Sequence, residues 1–540
     1  MKAELSRDRV YGFLKAQGME IRNERNEPVQ LLGWGLGNWL LCEGYMWQLG
    51  DFPAFDRPRR IEESIRQLTG EKYAERFWRQ FRESYIAEKD LEMMARMGYN
   101  SLRVPINSRL FLEEEGEGIQ FREEGFQYLD WLMDACEKHK LYVWIDLHGA
   151  PGGQTGANID DSPEDLCGLL MEEKHFERGV ALWEEVARRY HDRWIVAGYD
   201  LLNEPLRPVR FPGDVPLEEY EPRLREFYDA AVSAIRRNDT RHLIAIEGKH
   251  WASDLSLFDR KYDYQMVLHF HRYWCAPELK ELQDYIDAAR RLNVPLWLGE
   301  TGENTLEWYS AMIPLALELG IHVTMWPWKK MDTDNSPCSY APPRQWGLIR
   351  AWLAGGVKPG EETAQGIFDE LLENIQVGRC RSHGRIAAYL TRTPECEVRG
   401  VDFDEPKLRP ESCHAEGAYA PGLYREDTGM EIIQPEGGDK DAPWKTTLLR
   451  LHAGEWAQYT FQDVTSSCLA EVGVTAEEPA RVAVYQGERL VGEFEISACR
   501  QEQILAGMHL YTEDQATLKV VATEGTVCVH RVGLRLARAI

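Results

Sequence analysis

Two apolar runs in the middle of the chain each stop at a glutamate, and these endings constrain the fold more than any other feature. The runs are Leu201-Leu202-Asn203-Glu204-Pro205 and Trp297-Leu298-Gly299-Glu300. Short apolar runs of this kind are typical of buried parallel strands. The carboxyl ends of such strands meet at one face of the fold, so Glu204 and Glu300 are expected to face a common cleft. Their separation along the chain fits about three βα units of about 30 residues each.

Strand-like runs alternate with helix-like segments through the first two thirds of the chain. The helical pattern is clearest over residues 176–190, 219–237 and 278–292. Eight such units predict an α/β fold, a single closed (β/α)8 TIM barrel, rather than a doubly wound sheet. The eight predicted strands are Val29–Leu32, Ser101–Pro105, Tyr142–Leu147, Tyr199–Leu202, His242–Ile246, Met266–Leu268, Pro295–Gly299 and His322–Met325.

The pattern changes after about residue 395, where helical periodicity stops and short alternating runs begin. With 540 residues the chain exceeds one barrel, since a typical barrel takes about 250 residues. Short alternating runs separated by turn residues predict a small antiparallel β-sandwich. We therefore expect a barrel over residues 1–394 and an all-β domain over 395–540. The runs that carry this prediction are Trp456–Phe461, Arg481–Tyr485, Thr517–Val521 and Val527–His530.

Charge and composition exclude several classes of partner. The formal charge of −26 argues against nucleic acid and anionic membranes, because binding these requires a basic surface. No run approaches the ~20 apolar residues of a membrane span. The charged start of the chain has no apolar leader, and the eleven scattered cysteines indicate buried free thiols in a reducing compartment. A cytoplasmic location is therefore expected, while the oligomeric state stays open.

The residues at the strand ends resemble those of glycoside hydrolase family 5, within the larger group of retaining (β/α)8 glycosidases. The family places an Arg, a His, an Asn-Glu pair, a His-x-Tyr, a second Glu and a Trp in this order. The chain has the same residue types in the same order, at Arg103, His148, Asn203, Glu204, His271, Tyr273, Glu300 and Trp326. The resemblance covers about the first 390 residues and implies an O-glycosyl hydrolase that needs no cofactor and acts on an oligosaccharide or glycoside.

Cleavage with retention requires an acid that protonates the leaving oxygen and a carboxylate that traps the sugar. The resemblance implies that Glu204 is the acid/base and Glu300 the nucleophile. A cation and a hydroxyl near the nucleophile would keep it ionised, which suits Arg103 and Tyr273. The remaining residues would bind the sugar: Asn203 at the 2-hydroxyl, His148 and His271 at other hydroxyls or at the acid/base, and Trp326 by stacking.

Two loop motifs bear on the substrate. The stretch 35–45 resembles a segment of exo-acting β-1,3-glucanases, with Asn38 where those enzymes have Gly. The resemblance implies that Glu43 binds a terminal glucosyl unit. The stretch 148–154 resembles a loop shared by exo-glucanases, rutinosidases and glycosylceramidases. Together they favour a pocket for one terminal β-glucosyl residue; β-mannosidase and transglycosylase activities are alternatives on the same scaffold.

Other interpretations of these residues stay open at this point. His269 and His271 could form a metal pair, although the other strand ends carry Glu, Asn and Trp, so no metal is expected and His269 is interpreted as structural. Glu247 is either a sugar ligand or a partner of Lys249. Trp34, Trp47 and Trp144 are expected in the core or at its rim. A carbohydrate-binding pseudoenzyme and a metal-dependent barrel hydrolase are the alternatives to a glycosidase.

The tail resembles family 6 type carbohydrate-binding modules over Leu451–Phe461, which holds the Gly-Glu-Trp-x-x-Tyr pattern. The tryptophan that usually stacks on ligand in these modules has no clear equivalent around Ala498–Leu505. A structural sandwich and a working binding module are therefore both open. Trp444 and Tyr424 are expected on exposed loops if the domain binds sugar.

Overall fold

A computed structural model of the chain describes residues 2–209 and 215–537. The chain divides into two compact units. The first comprises residues 1–273, 284–303 and 320–383, and the second comprises residues 274–283, 304–319 and 384–540. The division at residue 394 that the sequence suggests stays a prediction.

The first unit is built on a closed barrel of eight parallel strands, which confirms the predicted fold class. The strands pair in chain order around the barrel, and the eighth closes on the first. They are β1 Leu32–Gly35, β2 Ser101–Asn107, β3 Tyr142–Gly149, β4 Val196–Asp200, β5 Leu243–Glu247, β6 Met266–His271, β7 Leu296–Gly302 and β8 His322–Trp326.

Two strands are displaced from the runs that predicted them. β1 begins at Leu32, the last residue of the predicted run 29–32, and β4 ends at Asp200 instead of Leu202. Leu201 and Leu202 are fully buried although they lie beyond the strand. Burial of the adjoining loop, rather than strand pairing, keeps these residues apolar.

Helices connect the strands along the chain, as the alternating pattern predicts. The longest, Glu173–Tyr190, buries Phe176, Leu182 and Val186 on one face, as expected of an amphipathic helix. The helices between and after the barrel strands are Pro58–Thr69, Glu71–Tyr85, Glu88–Arg96, Glu123–His139, Gly168–Met171, Glu173–Tyr190, Glu221–Arg236, Lys249–Ala252, Lys280–Leu292, Leu306–Glu318, Trp346–Leu353 and Glu361–Asn374. Smaller elements of the first unit are the helix Lys2–Leu5 and the strands Lys15–Gln17, Glu20–Arg22, Lys329–Met331, Cys338–Tyr340 and Arg381–Ser382.

Aromatic side chains fill much of the first unit. Trp34, Trp47 and Trp144 are fully buried, which confirms their predicted packing role. The rings of Trp144 and Trp297 stack with centroids 4.3 Å apart. Burial of side chains this large supplies much of the hydrophobic stabilisation of a barrel.

The second unit contains two antiparallel sheets, so the predicted all-β character of the tail is confirmed. One sheet consists of Glu397–Arg399, Glu431–Ile433, Leu448–His452, Cys468–Ala476, Cys499–His509 and Thr526–Leu536. The other consists of Cys413–His414, Trp456–Val464, Ala480–Gln486, Arg489–Ile496 and Glu513–Glu524. The helix Arg385–Thr391 precedes both sheets in the chain.

The prediction that Trp444 and Tyr424 lie exposed on loops is wrong. Trp444 is 8% exposed and Tyr424 is 2% exposed. The hydroxyl of Tyr424 donates to Asp402 Oδ1 at 2.7 Å, and its oxygen lies 3.1 Å from the Pro277 carbonyl oxygen. Both aromatics are structural because their loops fold back onto the unit.

Six of the eleven cysteines are buried, as the sequence predicts, and the other five are partly exposed. Over residues 2–209 and 215–537, no helix combines the length and apolar character that crossing a membrane requires.

Candidate active site

The nine residues predicted to form the site all lie in the first unit, on barrel strands or in the segments that follow them. Strand pairing explains part of this arrangement, since β6 and β7 place His271 opposite Glu300. The remaining positions are Glu43 after β1, Arg103 on β2, His148 on β3, Asn203 and Glu204 after β4, Tyr273 after β6 and Trp326 on β8.

The two carboxylates predicted to be catalytic lie close together. One carboxylate oxygen of Glu204, one ring nitrogen of His271 and one carboxylate oxygen of Glu300 lie within 4.8 Å of one another. Glu204 is 8% exposed and Glu300 is 5% exposed. The pair is therefore nearly desolvated, and its charges are only weakly screened by water.

Glu300 accepts two hydrogen bonds from neighbouring side chains. Arg103 Nη1 donates to its Oε1 at 2.5 Å, and the Tyr273 hydroxyl donates to its Oε2 at 3.0 Å. Burial raises the pKa of Tyr273 well above its usual value, so the phenol keeps its proton. A carboxylate held by a guanidinium and a phenol has the donors that a nucleophile requires.

Arg103 is fully buried and connects most of the site. Its Nε donates to Asp200 Oδ2 at 2.8 Å, and its Nη2 donates to Asn203 Oδ1 at 2.8 Å. Nη2 also lies 3.1 Å from Asp146 Oδ2 and 3.1 Å from Glu247 Oε1. Burial alone would lower the pKa of Arg103, but the surrounding carboxylates outweigh it and hold the pKa well above its usual value.

His148 and Asn203 have defined hydrogen-bond directions. His148 Nδ1 lies 2.7 Å from Asp146 Oδ2, and Asn203 Nδ2 lies 3.2 Å from His148 Nε2. Because Asn203 Oδ1 accepts from Arg103, its Nδ2 is the amide NH2 group and donates to His148 Nε2, so the neutral ring carries its proton on Nδ1. Burial lowers the pKa of His148 to about 4, so the ring is neutral near neutral pH.

Glu204 adopts a strained backbone conformation, with φ of 43°. Positive φ is uncommon for a residue other than glycine and occurs often at functional sites. Its backbone N–H donates to Glu247 Oε2 at 2.7 Å, and its Oε1 lies 2.7 Å from His271 Nδ1. These contacts hold the carboxyl group in place beside Glu300.

Glu43, Trp326 and Tyr45 form one wall of the site. Glu43 Oε1 lies 4.0 Å from His148 Nε2, and Trp326 Nε1 donates to the Tyr45 hydroxyl at 2.8 Å. The rings of His148 and Trp326 are nearly parallel, with centroids 5.6 Å apart. This wall combines an aromatic face with a carboxyl group, which suits a hydroxylated ring with an apolar face.

The loop after β3 supports the site through Gln154. Its Nε2 donates to the His148 carbonyl at 2.7 Å and to the Asn203 carbonyl at 2.9 Å. Its Oε1 accepts from the Ala150 N–H at 3.1 Å. The loop recognised in the sequence therefore bonds directly to the backbone of two predicted site residues.

Burial favours the protonated form of three carboxyl groups around the site. Burial raises the pKa of Glu43, Asp146 and Glu247 well above the usual values. Burial would also raise the pKa of Asp200, but His269 and Arg103 outweigh it, so the pKa of Asp200 lies well below its usual value. Asp200 is therefore an ionised partner of Arg103.

Asp146 and Asp200 were not predicted from the sequence, and Glu247 has a role that neither interpretation anticipated. Glu247 is fully buried against Arg103 and the Glu204 backbone, while Lys249 pairs with Glu221. Each of the two aspartates interrupts an apolar strand. A carboxylate buried among apolar residues needs a charged or hydrogen-bonding partner. An aspartate within an apolar run could therefore have indicated these two residues from the sequence.

The histidine pair also bears on the metal alternative. One donor atom each from Glu247, His269 and His271 lies within 4.8 Å of the others. However, His269 Nε2 and His271 Nε2 lie 3.0 Å apart and face each other. A neutral imidazole has one N–H group and one lone pair. The contact is therefore an N–H···N hydrogen bond, and the lone pair that accepts it is not available to a metal ion.

Comparison with known proteins places the barrel among glycosidases. Residues 64–332 match the model of a family described as Cellulase (glycosyl hydrolase family 5). That region contains every predicted site residue except Glu43.

Several curated relatives share part of this region. A β-xylosidase of Phanerodontia chrysosporium is 32% identical over 246 residues, which is 46% of this chain and 48% of the relative. A glucan 1,3-β-glucosidase of Schwanniomyces occidentalis is 26% identical over 49% of this chain and 62% of its own. Endoglucanase C of Acetivibrio thermocellus is 23% identical over 47% of this chain and 86% of its own. The chain thus spans about half the length of the β-xylosidase that it matches.

Among solved structures, the catalytic domain of an endoglucanase of Thermobifida fusca is 16% identical. The similarity covers 67% of this chain and 99% of the endoglucanase domain, with a TM-score of 0.40.

Proposed function

Because the barrel of this chain belongs to glycosyl hydrolase family 5, we propose that the chain is a glycosyl hydrolase that cleaves β-glycosides with retention of configuration. The observation that carries the proposal is the approach of Glu204 and Glu300, whose nearest oxygens lie within 4.8 Å. Retaining enzymes hold their two carboxyl groups about 5–5.5 Å apart, whereas inverting enzymes need about 6.5–9.5 Å to admit a water.

In the first step Glu300 attacks the anomeric carbon while Glu204 donates its proton to the leaving oxygen. The glycosidic bond breaks, the aglycone leaves as an alcohol, and the sugar is held as an ester of Glu300. Arg103 and Tyr273, which donate to Glu300, hold this carboxylate aligned for attack.

In the second step Glu204, now a carboxylate, removes a proton from water as the water attacks the anomeric carbon. The ester bond to Glu300 breaks, and the sugar leaves with its original configuration. Asn203 is fixed by Arg103 and His148, so its amide can act on the 2-hydroxyl in both transition states.

The proposed substrate is a terminal β-glucosyl residue of a short β-glucan or β-glucoside. Glu43 and Trp326 lie on one wall of the site, and a carboxyl group beside an aromatic face is suited to one sugar ring. The resemblance of residues 35–45 to exo-acting β-1,3-glucanases also supports an exo mode.

A β-xylosyl substrate is a second candidate, because the named β-xylosidase is 32% identical to this chain. A xylosyl ring differs from a glucosyl ring by the loss of the hydroxymethyl group. A pocket that merely has space for the hydroxymethyl group discriminates weakly between glucosyl and xylosyl substrates. A pocket that hydrogen-bonds this group discriminates strongly between them.

The test is a comparison of aryl β-glucoside, β-xyloside, β-mannoside and β-galactoside, with laminari- and cello-oligosaccharides beside them. Release of single glucose units from chain ends supports the exo-glucosidase. A preference for the xyloside supports the second candidate, and release of internal fragments contradicts the exo mode.

The mechanism is tested separately with variants of the two glutamates. E300A is expected to abolish hydrolysis while the circular dichroism spectrum is unchanged. E204A is expected to retain activity on dinitrophenyl glycosides and to be rescued by azide, which needs no general base and gives a β-glycosyl azide. An α-glycosyl azide, or full activity of E204A on an alkyl glycoside, contradicts the assignment.

For the second unit we propose carbohydrate binding at Trp456, which is only half-buried on its sheet. Its ring stacks on His414 with centroids 6.2 Å apart, and Lys519 Nζ lies 5.3 Å from the ring centre. An accessible indole beside polar groups is suited to a sugar face. W456A should weaken retention on insoluble β-glucan in pull-down assays; unchanged retention would favour a structural sandwich.

A further inference from the structure

A continuous chain of hydrogen bonds runs from Asp200 to Glu204 through two histidines. Asp200 Oδ1 lies 3.0 Å from His269 Nδ1, His269 Nε2 lies 3.0 Å from His271 Nε2, and His271 Nδ1 lies 2.7 Å from Glu204 Oε1. Each histidine uses both ring nitrogens. The proton position at one end of the chain therefore determines the proton position at the other.

The Asp200 end fixes the direction. Arg103 Nε donates to Asp200 Oδ2 at 2.8 Å, which keeps the aspartate ionised and limits it to accepting hydrogen bonds. His269 Nδ1 must then carry a proton, which leaves Nε2 with a lone pair. His271 Nε2 must donate to that lone pair, so His271 Nδ1 is an acceptor.

Both rings are neutral in this arrangement. Burial lowers the pKa of His269 and holds the pKa of His271 well below its usual value. Two groups facing His271 bear on its charge: Glu300 Oε2 lies 3.7 Å from Nδ1, and Glu247 Oε1 lies 3.6 Å from Nε2. Glu247 Oε1 also lies 3.2 Å from His269 Nδ1, and Arg103 opposes protonation of both rings.

We propose that His269 and Asp200 are positioning residues that keep the catalytic proton on Glu204. With a lone pair on His271 Nδ1, the 2.7 Å contact to Glu204 Oε1 requires the carboxyl group to be the donor. The inference rests on the proposed function of Glu204 as the acid. It assigns to His269 a role beyond packing.

The surroundings of His269 hold its ring in the orientation that this chain requires. Trp297 stacks on the ring with centroids 4.1 Å apart. On β7, a Cβ atom at Gly299 would lie 1.8 Å from His269 Nε2, so glycine leaves the space that the ring occupies. The residue preceding Glu300 is thus fitted to the histidine.

The chain also explains how Glu204 can change roles between the two steps. After Glu204 has given up its proton, its carboxylate faces a lone pair on His271 rather than an N–H. This contact does not stabilise the anion, so the carboxylate readily takes a proton from water. Reversal of the whole chain would require Asp200 to be protonated beside Arg103, which the ion pair opposes.

The first experiment needs no substrate. Infrared difference spectra between the wild-type protein and E204Q report the carbonyl stretching band of a protonated Glu204 carboxyl group. The intensity of this band is measured as a function of pH. The band is expected in the wild-type protein at neutral pH. In H269F, His271 loses its acceptor and can turn its N–H towards Glu204, so the band should disappear at a pH lower by about one unit.

Two further variants separate this role from packing. H269Q can donate to Asp200 and accept from His271, so it should restore the wild-type titration. H322F removes a buried histidine at the opposite end of the barrel, and it should leave the band unchanged. A titration that is the same in H269F and the wild-type protein overturns the proposal.

A kinetic readout completes the test. H269F should lower kcat/KM for alkyl β-glycosides by about 10- to 100-fold and leave dinitrophenyl glycosides almost unaffected, because good leaving groups need little acid. The alkaline limb of its pH–rate profile should move to lower pH. Equal losses on both substrates contradict the proposal, whereas a wild-type protein that shows the band but cleaves no glycoside contradicts only the proposed function.

Discussion

At the scale of single residues, Arg103 is the cation that four carboxyl groups of the site share. Its guanidinium contacts Asp146, Asp200, Glu247 and Glu300, and it is fully buried. The planar guanidinium of arginine can donate to several acceptors at once, whereas the ammonium group of lysine cannot reproduce this geometry.

R103K is therefore expected to lower kcat/KM by at least about 100-fold. R103A should also lower the free energy of unfolding by about 3–5 kcal/mol, because it leaves buried carboxylates without their cation. Urea denaturation and aryl glycoside kinetics measure the two effects. R188K is the matched control, since Arg188 pairs with Glu185 at an exposed position; an R103K enzyme as active as this control would contradict the assignment.

Asn38 shows how a departure from the family pattern is accommodated. The residue has φ of 66°, the left-handed conformation that glycine adopts most easily. Asparagine is the next most tolerant residue, and its Oδ1 accepts from Trp47 Nε1 at 2.5 Å and from the Glu43 N–H at 3.3 Å. The substitution therefore adds two contacts beside Glu43.

The backbone requirement at this position can be measured on its own. N38A and N38G both lose the contacts to Trp47 and Glu43, but only alanine is strained at this φ. We expect N38A to be less stable than N38G by about 1 kcal/mol in chemical denaturation. Equal free energies of unfolding of the two variants would show that the left-handed conformation at residue 38 does not destabilise alanine relative to glycine.

At the scale of elements, strand pairing and one loop arrange the site. The β5–β6 register sets Glu247 beside His269, and the β6–β7 register sets His271 beside Glu300. The loop after β3 then bonds through Gln154 to the backbone of His148 on β3 and of Asn203 after the neighbouring β4. The sequence indicated this loop as a motif but gave no sign that Gln154 is its anchor.

Q154L is expected to lower the free energy of unfolding by about 1–3 kcal/mol, because the buried carbonyls of His148 and Asn203 lose their donor. The kcat/KM should fall as well, since Asn203 is no longer held in place. Thermal unfolding and kinetics on an aryl glycoside test this expectation. Q67L, on an exposed helix surface, is the control. Equal unfolding temperatures and equal kcat/KM values of the two variants would show that Gln154 does not support the site.

At the scale of the whole molecule, buried histidines couple the stability of the chain to pH. Burial lowers the pKa of His322 to about 3 and that of His148 to about 4. In the unfolded chain each titrates near about 6.5. The unfolded state therefore binds protons that the folded state does not, and stability is lost as the pH falls below about 6.5.

H322F should remove part of this dependence. Between about pH 6.5 and the folded pKa, each such histidine costs up to about 1.4 kcal/mol per pH unit. The free energy of unfolding of H322F should fall less steeply with decreasing pH than that of the wild-type protein. The free energies of unfolding are obtained from denaturant titrations at several pH values. If the values for H322F and the wild-type protein fell in parallel with pH, burial would not lower the pKa of His322.

Local pattern was sufficient to predict the barrel, whereas the nine candidate site residues came from the resemblance to glycoside hydrolase family 5. Alternating apolar and helical segments leave few other folds, because each strand must be buried on both faces. The motif order then identifies which strand ends carry carboxylates. The all-β tail follows from the change to period-two alternation near residue 395.

Contacts between residues distant in the chain were decided only by the tertiary structure. Trp444 and Tyr424 occur in polar, turn-rich stretches, yet their loops fold inward and bury them. The sequence also placed no partner beside Asp200 or His269, because hydrogen-bond direction depends on which atoms face each other across strands. The sequence by itself thus determined the strands and the candidate residues, whereas three-dimensional packing decided which groups are charged and which carry protons, since burial and neighbouring charges set the pKa of each group.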